Sequence, residues 1–255
     1  MNTEEQAIES FIDIVCDNLL IMDYLEETEP GICKFFYERY GIRNFARFNQ
    51  DFWLGEYRNR ERIGSYGLVV YAMSDWNSSS YDERVRKTYD DLHRDISKTH
   101  SLKVIEARDV LELAVFLSKL VKYQTKAPDF VVWSGHSSGS DFAFSKEQSK
   151  KSALSDNIHY LDTSDFEGEE LERIRTYLDL FSSDTVMIFD ACSTGEDNSL
   201  PVVVARLMGN TFIHPSGKTS VENFGAVVQS NGRVAFNLKY EGDVKSIITH
   251  GGITK

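Results

Sequence analysis

The chain has 255 residues, 41% of them hydrophobic, enough to bury a full core as one large domain or as a catalytic domain with an appendage. Its net charge of -12 leaves no basic excess to displace counterions, which argues against nucleic acid as a main partner and favours a cationic peptide or protein. The three cysteines, Cys16, Cys33 and Cys192, form neither a metal-ligand spacing nor a disulfide framework. We therefore expect no metal, no cofactor and a reducing, cytoplasmic setting. The acidic opening Met1-Asn2-Thr3-Glu4-Glu5 is unlike a signal peptide, and no apolar run is long enough for a bilayer, so no membrane association is expected.

The first segment reads as helical. Thr3 and Gln6 make a capping-box pattern, and Ile8, Phe11, Ile12, Val15 and Leu19 recur at helical spacing. A second helix is expected over Ile32 to Tyr40, with Thr28 and Pro30 before it and Gly41 after it. The aromatic and basic stretch from Phe45 through Trp53 to Arg62 reads as an amphipathic connector packed on the main domain. Residues 1–62 are thus an N-terminal helical accessory segment, and 63–255 the main domain.

From Tyr66 strands and helices alternate. Leu68 to Met73 is a buried strand, followed by the loop Asp75 to Ser79. Ser80 and Glu83 open a helix with Val85, Tyr89, Leu92 and Ile96 on its apolar face. Leu102 to Ala107 is a second strand, and Asp109 with Glu112 caps a helix through Leu113, Leu117 and Leu120. Phe130 to Trp133 is a third strand. Phe142 to Phe144 and Ile158 to Leu161 read as short strands around the polar loop Lys146 to Asp156. Ser164 and Glu167 start a helix carrying Leu171, Ile174, Leu178 and Phe181, and Thr185 to Phe189 is a fourth strand. A helix over Leu200 to Met208 and short strands near Phe212, Val227 and Ala235 follow. Such alternation predicts an α/β fold with a mostly parallel sheet and helices on both faces.

Two strand ends share one pattern. Val131-Val132-Trp133 runs into Ser134-Gly135-His136-Ser137-Ser138-Gly139, and Val186-Met187-Ile188-Phe189 runs into Asp190-Ala191-Cys192-Ser193-Thr194-Gly195. Each places a reactive side chain three positions past the last large apolar residue (133 to 136, 189 to 192). If the strands are parallel neighbours, an imidazole and a thiol come side by side at the carboxyl edge of the sheet, where open α/β folds bind ligands. A thiol needs such a neighbour to become an effective nucleophile. Cys16 and Cys33, by contrast, read as small packing residues. His93, His100, His159, His214 and His250 lack such a context and read as surface or structural.

On these two turns and their order, His before Cys, the chain resembles a caspase-fold (clan CD) cysteine peptidase, nearest to the CHAT-domain and metacaspase-like members. The resemblance spans roughly Tyr66 to Gly217, and Gly209-Asn210-Thr211-Phe212-Ile213 is similar to the strand after the catalytic turn in CHAT proteins. It implies a caspase-like sheet and a thiol endopeptidase in which Cys192 attacks the scissile carbonyl and His136 moves the proton. The oxyanion would be held by the backbone N–H groups of Cys192 and Ser137, where the family usually has Gly at the second position. Asp190, with Ser134, would line the pocket for the residue before the cut. Metacaspases with Asp there cleave after Arg or Lys, whereas legumain-like enzymes also carry an acid and cut after Asn. The substrate implied is a protein or peptide basic at the cleavage site, and Ser145-Lys146 to Lys150-Lys151 is a candidate self-cleavage loop. The resemblance also allows a regulatory protein partner, since prokaryotic relatives are commonly effector proteases switched on by one.

Two rivals remain. Gly135-His136-Ser137-Ser138-Gly139 fits the nucleophile elbow G-x-S-x-G, with Ser137, Asp190 and His250 (or His214) as a serine-hydrolase triad. The elbow requires a helix directly after the serine, and Ser140-Asp141-Phe142-Ala143-Phe144 alternates like a strand. The third reading is an inactive caspase-fold binding module.

Overall fold

The computed structural model describes residues 3–62, 64–73, 83–124, 126–137, 139–144, 159–166, 179–191, 199–217 and 221–251, with the side chains of 3–14 and 83–85 excluded. Helix α1 (Thr3–Thr28) is followed by α2 (Ile32–Tyr40), a 3-10 turn (Phe45–Arg47) and α3 (Gln50–Arg58). Then come β1 (Tyr66–Ala72), α4 (Glu83–Ile96), β2 (Ser101–Ala107), α5 (Val110–Tyr123) and β3 (Phe130–Ser134). The remainder holds β4 (Asp141–Ala143), β5 (Tyr160–Asp162), β6 (Val186–Asp190), α6 (Leu200–Met208), β7 (Thr211–Pro215), β8 (Val221–Val228), β9 (Val234–Tyr240) and β10 (Ser246–His250).

Two of the expected local signals are in place, while the Thr3–Gln6 and Ser80–Glu83 pairs lie outside the described side chains. Gly41 closes α2 in the left-handed conformation, its N–H reaching the carbonyls of Phe36 and Tyr37. The Asp109 carboxylate accepts the Glu112 N–H at 2.7 Å and so starts α5. The expected helix from Ser164 to Phe181 lies mostly outside the described residues, its first part being a 3-10 turn over Thr163–Phe166. Strand β10 is an addition to the expected elements.

Six strands form one sheet in the order β10-β7-β6-β3-β1-β2, with only β10 antiparallel to its neighbour. The fold is therefore α/β with a mostly parallel sheet. Alternate residues of β3 face opposite ways. On one side Phe130 meets Phe236 of β9 at 5.0 Å between ring centroids, and α4 and the β8–β9 hairpin cover this face. On the other, Trp133 lines an apolar cavity together with Leu113 and Leu117 of α5 and Leu200 and Val204 of α6.

The N-terminal segment is built into this core. Phe36, Phe45, Phe48, Phe52 and Trp53 are buried in one continuous cluster with the strands, so the expected boundary at 62/63 separates two parts of a shared interior. The junction is fixed by charge. Arg47 and Glu106 of β2, each 1% exposed at the side chain, pair at 3.2 Å, and the guanidinium lies 4.2 Å from the Tyr71 ring centroid. The other Glu106 oxygen accepts the backbone N–H groups of Arg43 and Asn44 at 2.6 and 3.1 Å. A second buried pair, Glu56 with Lys103, ties α3 to β2 at 3.1 Å.

Cys33 is buried as expected, and burial pushes its thiol up to about 12. Cys16 is exposed, against expectation, because α1 turns Met22 and Leu25 to the core and leaves Cys16 outward.

Breaking a buried ion pair strands the remaining charge. Arg47→Met should cost about 3–5 kcal/mol in denaturant-unfolding free energy. Adding Glu106→Gln, which keeps an acceptor for Arg43 and Asn44, should recover part of that loss.

Candidate active site

The condition posed by the two matching turns is met. Strands β3 and β6 are parallel neighbours, with Trp133 opposite Phe189 and Ser134 opposite Asp190. His136 and Cys192 therefore each follow this last pair by two residues. Cys192 itself lies outside the described residues, as does the candidate self-cleavage loop 145–151.

The His turn is fastened on several sides. Gly135 N–H donates to the Asp190 carbonyl at 3.3 Å, and the His136 carbonyl accepts the Ala143 N–H at 2.8 Å. Gly139, at φ 106, offers its carbonyl to Leu200 N–H at 2.9 Å. That φ suits glycine alone among common residues. The turn bearing His136 is thus bonded both to Asp190 and to Leu200, which flank the stretch holding Cys192. His136 is half-buried.

Asp190 is buried and heavily solvated by protein. Its Oδ2 accepts the Tyr89 hydroxyl at 2.6 Å and the Ser134 hydroxyl at 3.1 Å, and its Oδ1 accepts the Val221 N–H at 2.9 Å. Burial pushes the carboxyl above the ordinary aspartate range, while those three hydrogen bonds pull it down; Glu241 adds a further upward push. Among the described residues no cation forms an ion pair with it. Ser134 and Asp190 are thus together, as expected. Tyr89 and the Val221 N–H were not foreseen: Tyr89 sits on the apolar face of α4, and Val221 carries no side-chain signal.

The serine triad is not assembled. The Ser137 hydroxyl accepts the Gly139 N–H at 2.9 Å, and the following described segment is β4, a strand where an elbow needs a helix. His250 pairs with Thr211, Thr211 with Val186 and Val186 with Phe130, which puts His250 at the amino edge of the parallel strands. Ser134 and Asp190 are at the carboxyl edge. His214 is buried on β7 with its Nε2 3.0 Å from the Thr249 hydroxyl, and burial pulls its pKa down.

Among the described residues no group of three or more His, Cys, Asp or Glu is arranged to hold a metal ion. Among them, too, no helix is long and apolar enough to cross a membrane. No protein-family model, no curated protein and no solved structure matches this chain.

Gly135 is where the turn is tightest. A Cβ there would stand 2.9 Å from both the Ala72 Cβ and the Phe142 ring. Gly135→Ala should therefore lose about 1–3 kcal/mol of unfolding free energy. Gly55→Ala, inside α3 with nothing within 4 Å of its Cβ, should instead gain up to about 1 kcal/mol.

Proposed function

We propose that the chain is a cysteine endopeptidase of caspase-like fold, with Cys192 as nucleophile and His136 as its proton acceptor and donor. The observation that carries this is the β3–β6 register, Ser134 opposite Asp190, from which equal two-residue steps lead to His136 and Cys192. The sheet order and the mostly parallel direction are compatible with that fold.

In the proposed cycle the Cys192 sulfur attacks the scissile carbonyl carbon while His136 takes the thiol proton. The carbonyl oxygen becomes an oxyanion, held by the backbone N–H groups of Cys192 and Ser137. Collapse breaks the C–N bond, and His136 returns the proton to the leaving amine, leaving an acyl-enzyme thioester. Water, deprotonated by His136, then hydrolyses the thioester and regenerates the thiol.

The residue before the cut is proposed to be Arg or Lys, read by Asp190. What supports this is a buried carboxylate held by neutral donors, with a negative neighbour in Glu241 and no paired cation among the described residues. An incoming guanidinium would supply the missing countercharge with charge-assisted hydrogen bonds. The substrate is accordingly a protein or peptide segment with a basic residue at the cleavage point, handled in the cytoplasm. A regulatory protein that switches the enzyme on belongs to the same proposal.

Cys192→Ala should abolish cleavage of Arg-containing peptides while leaving the circular dichroism spectrum unchanged. Ser137→Ala, which removes only the turn bond to Gly139, should keep activity within about tenfold of wild type. Activity retained in Cys192→Ala and lost in Ser137→Ala would overturn the thiol mechanism.

A further inference from the structure

The Tyr89 ring is fully buried, with centroids 5.4 Å from Tyr71 of β1, 6.0 Å from Phe48 and 5.0 Å from Phe224 of β8. The ring contacts alone would be made equally by a Phe, and the hydroxyl adds polar contacts, one of them with the Tyr71 side chain. The hydroxyl nevertheless ends on Asp190 Oδ2 at 2.6 Å, the shortest of the three bonds the carboxylate receives from described residues. A buried phenol needs an acceptor, and many in a core find a backbone carbonyl. This one goes to the carboxylate that faces Ser134 across the β3–β6 pair, two residues before His136.

The bond has two physical consequences. A donor on a buried carboxylate favours its ionised form against the cost of burial. It also fixes the plane of the carboxylate, with Ser134 on the same oxygen and the Val221 N–H on the other. An arriving guanidinium needs both, a charge to compensate and a plane to meet.

We propose that Tyr89 is a specificity-positioning residue, whose hydroxyl holds the Asp190 carboxylate charged and oriented for a cationic substrate side chain. Resting on the peptidase assignment above, this adds a residue from α4 that does not itself touch the substrate. It also makes discrimination of the cation depend on pH. Among the described residues the groups around Asp190 are Tyr71 from β1, Tyr89 from α4, Ser134 from β3, the Val221 N–H from β8, Tyr240 from β9 and Glu241 just beyond it. Burial pushes Tyr71, Tyr89 and Tyr240 above the ordinary phenol range, so they stay neutral donors. Burial also raises Asp190, and the Tyr89 bond is the foremost influence lowering it. Only the ionised carboxylate pairs with a cation, so kcat/KM for a basic substrate rises with pH as Asp190 loses its proton. Removing the Tyr89 hydroxyl raises Asp190 further, and that rise moves to higher pH.

The test compares two peptides identical except for Arg or Leu before the cleaved bond, with kcat/KM followed across pH for wild type, Tyr89→Phe, Ser134→Ala and Cys192→Ala. Tyr89→Phe should lose about tenfold or more on the Arg peptide, mainly through KM, and stay within about twofold on the Leu peptide. Its acid limb on the Arg peptide should move to higher pH. Ser134→Ala removes the second donor on the same oxygen and should move the same quantities in the same direction by less, which keeps the test decisive if Tyr89→Phe folds poorly. Cys192-dependent activity whose Arg-to-Leu ratio and acid limb are unmoved in both variants overturns the role of Tyr89 and leaves the peptidase assignment standing. Absence of any Cys192-dependent cleavage overturns the assignment, and the role of Tyr89 with it.

Discussion

The structure around the site depends on one buried carboxylate. Asp190 ends β6, and its oxygens gather a hydroxyl from α4, a hydroxyl from β3 and an N–H from β8. An ionised carboxylate placed in an interior without donors would carry a prohibitive desolvation cost, so these three contacts are the condition for having it there. They also recruit three elements distant in sequence to the carboxyl edge of the sheet. The β8–β9 hairpin gains a second anchor there, the Tyr240 hydroxyl donating to the Phe189 carbonyl at 3.2 Å.

The parallel pairing of β3 and β6 places this anchor beside the His136 turn. A one-residue slip would turn Ser134 away from Asp190 and exchange the two faces of β6. The buried alternation of both strands opposes such a slip: Phe130 and Val132 pack under the hairpin side, and Trp133, Met187 and Phe189 line the apolar cavity opposite. The His136 turn is then held by backbone bonds to Asp190 and Leu200, so its position follows from the sheet rather than from a free loop. The N-terminal segment belongs to the same construction. Phe48 stacks on Phe52 at 4.0 Å and its ring stands 6.0 Å from Tyr89, which brings the accessory segment within one side chain of the Asp190 network.

Local chemistry was legible in the sequence and distant partnership was not. Helix α2 and helix α6 have the bounds expected of them, because Gly41 and Gly209 stop them and Pro201 sits in the first turn of α6. Strands β1, β3 and β6 are recognisable as continuous apolar runs, as buried parallel strands are, whereas β2 is interrupted by Lys103 and Glu106. Strand β10 escaped notice because it is an edge strand whose residues alternate between exposed and half-buried, without an apolar run. Arg47 read as part of an amphipathic connector, since its partner Glu106 lies 59 residues away. Tyr89 read as one more apolar position at helical spacing. The ring obeys that pattern, while the hydroxyl answers to a carboxylate 101 residues further on. The equal offset of His136 and Cys192 from their strand ends is a property of the sequence alone, and the register supplies the adjacency of the two strands.

The most direct test of the central claim is covalent capture at the site. The protein would be treated with a peptidyl acyloxymethyl ketone carrying Arg next to the electrophilic carbonyl, and the modified residue located by mass spectrometry. One stoichiometric adduct on Cys192 is expected, suppressed by an excess of Arg-containing peptide and absent in His136→Ala. Adducts on the exposed Cys16 alone, or equal labelling of Cys192 with and without His136, would contradict that claim.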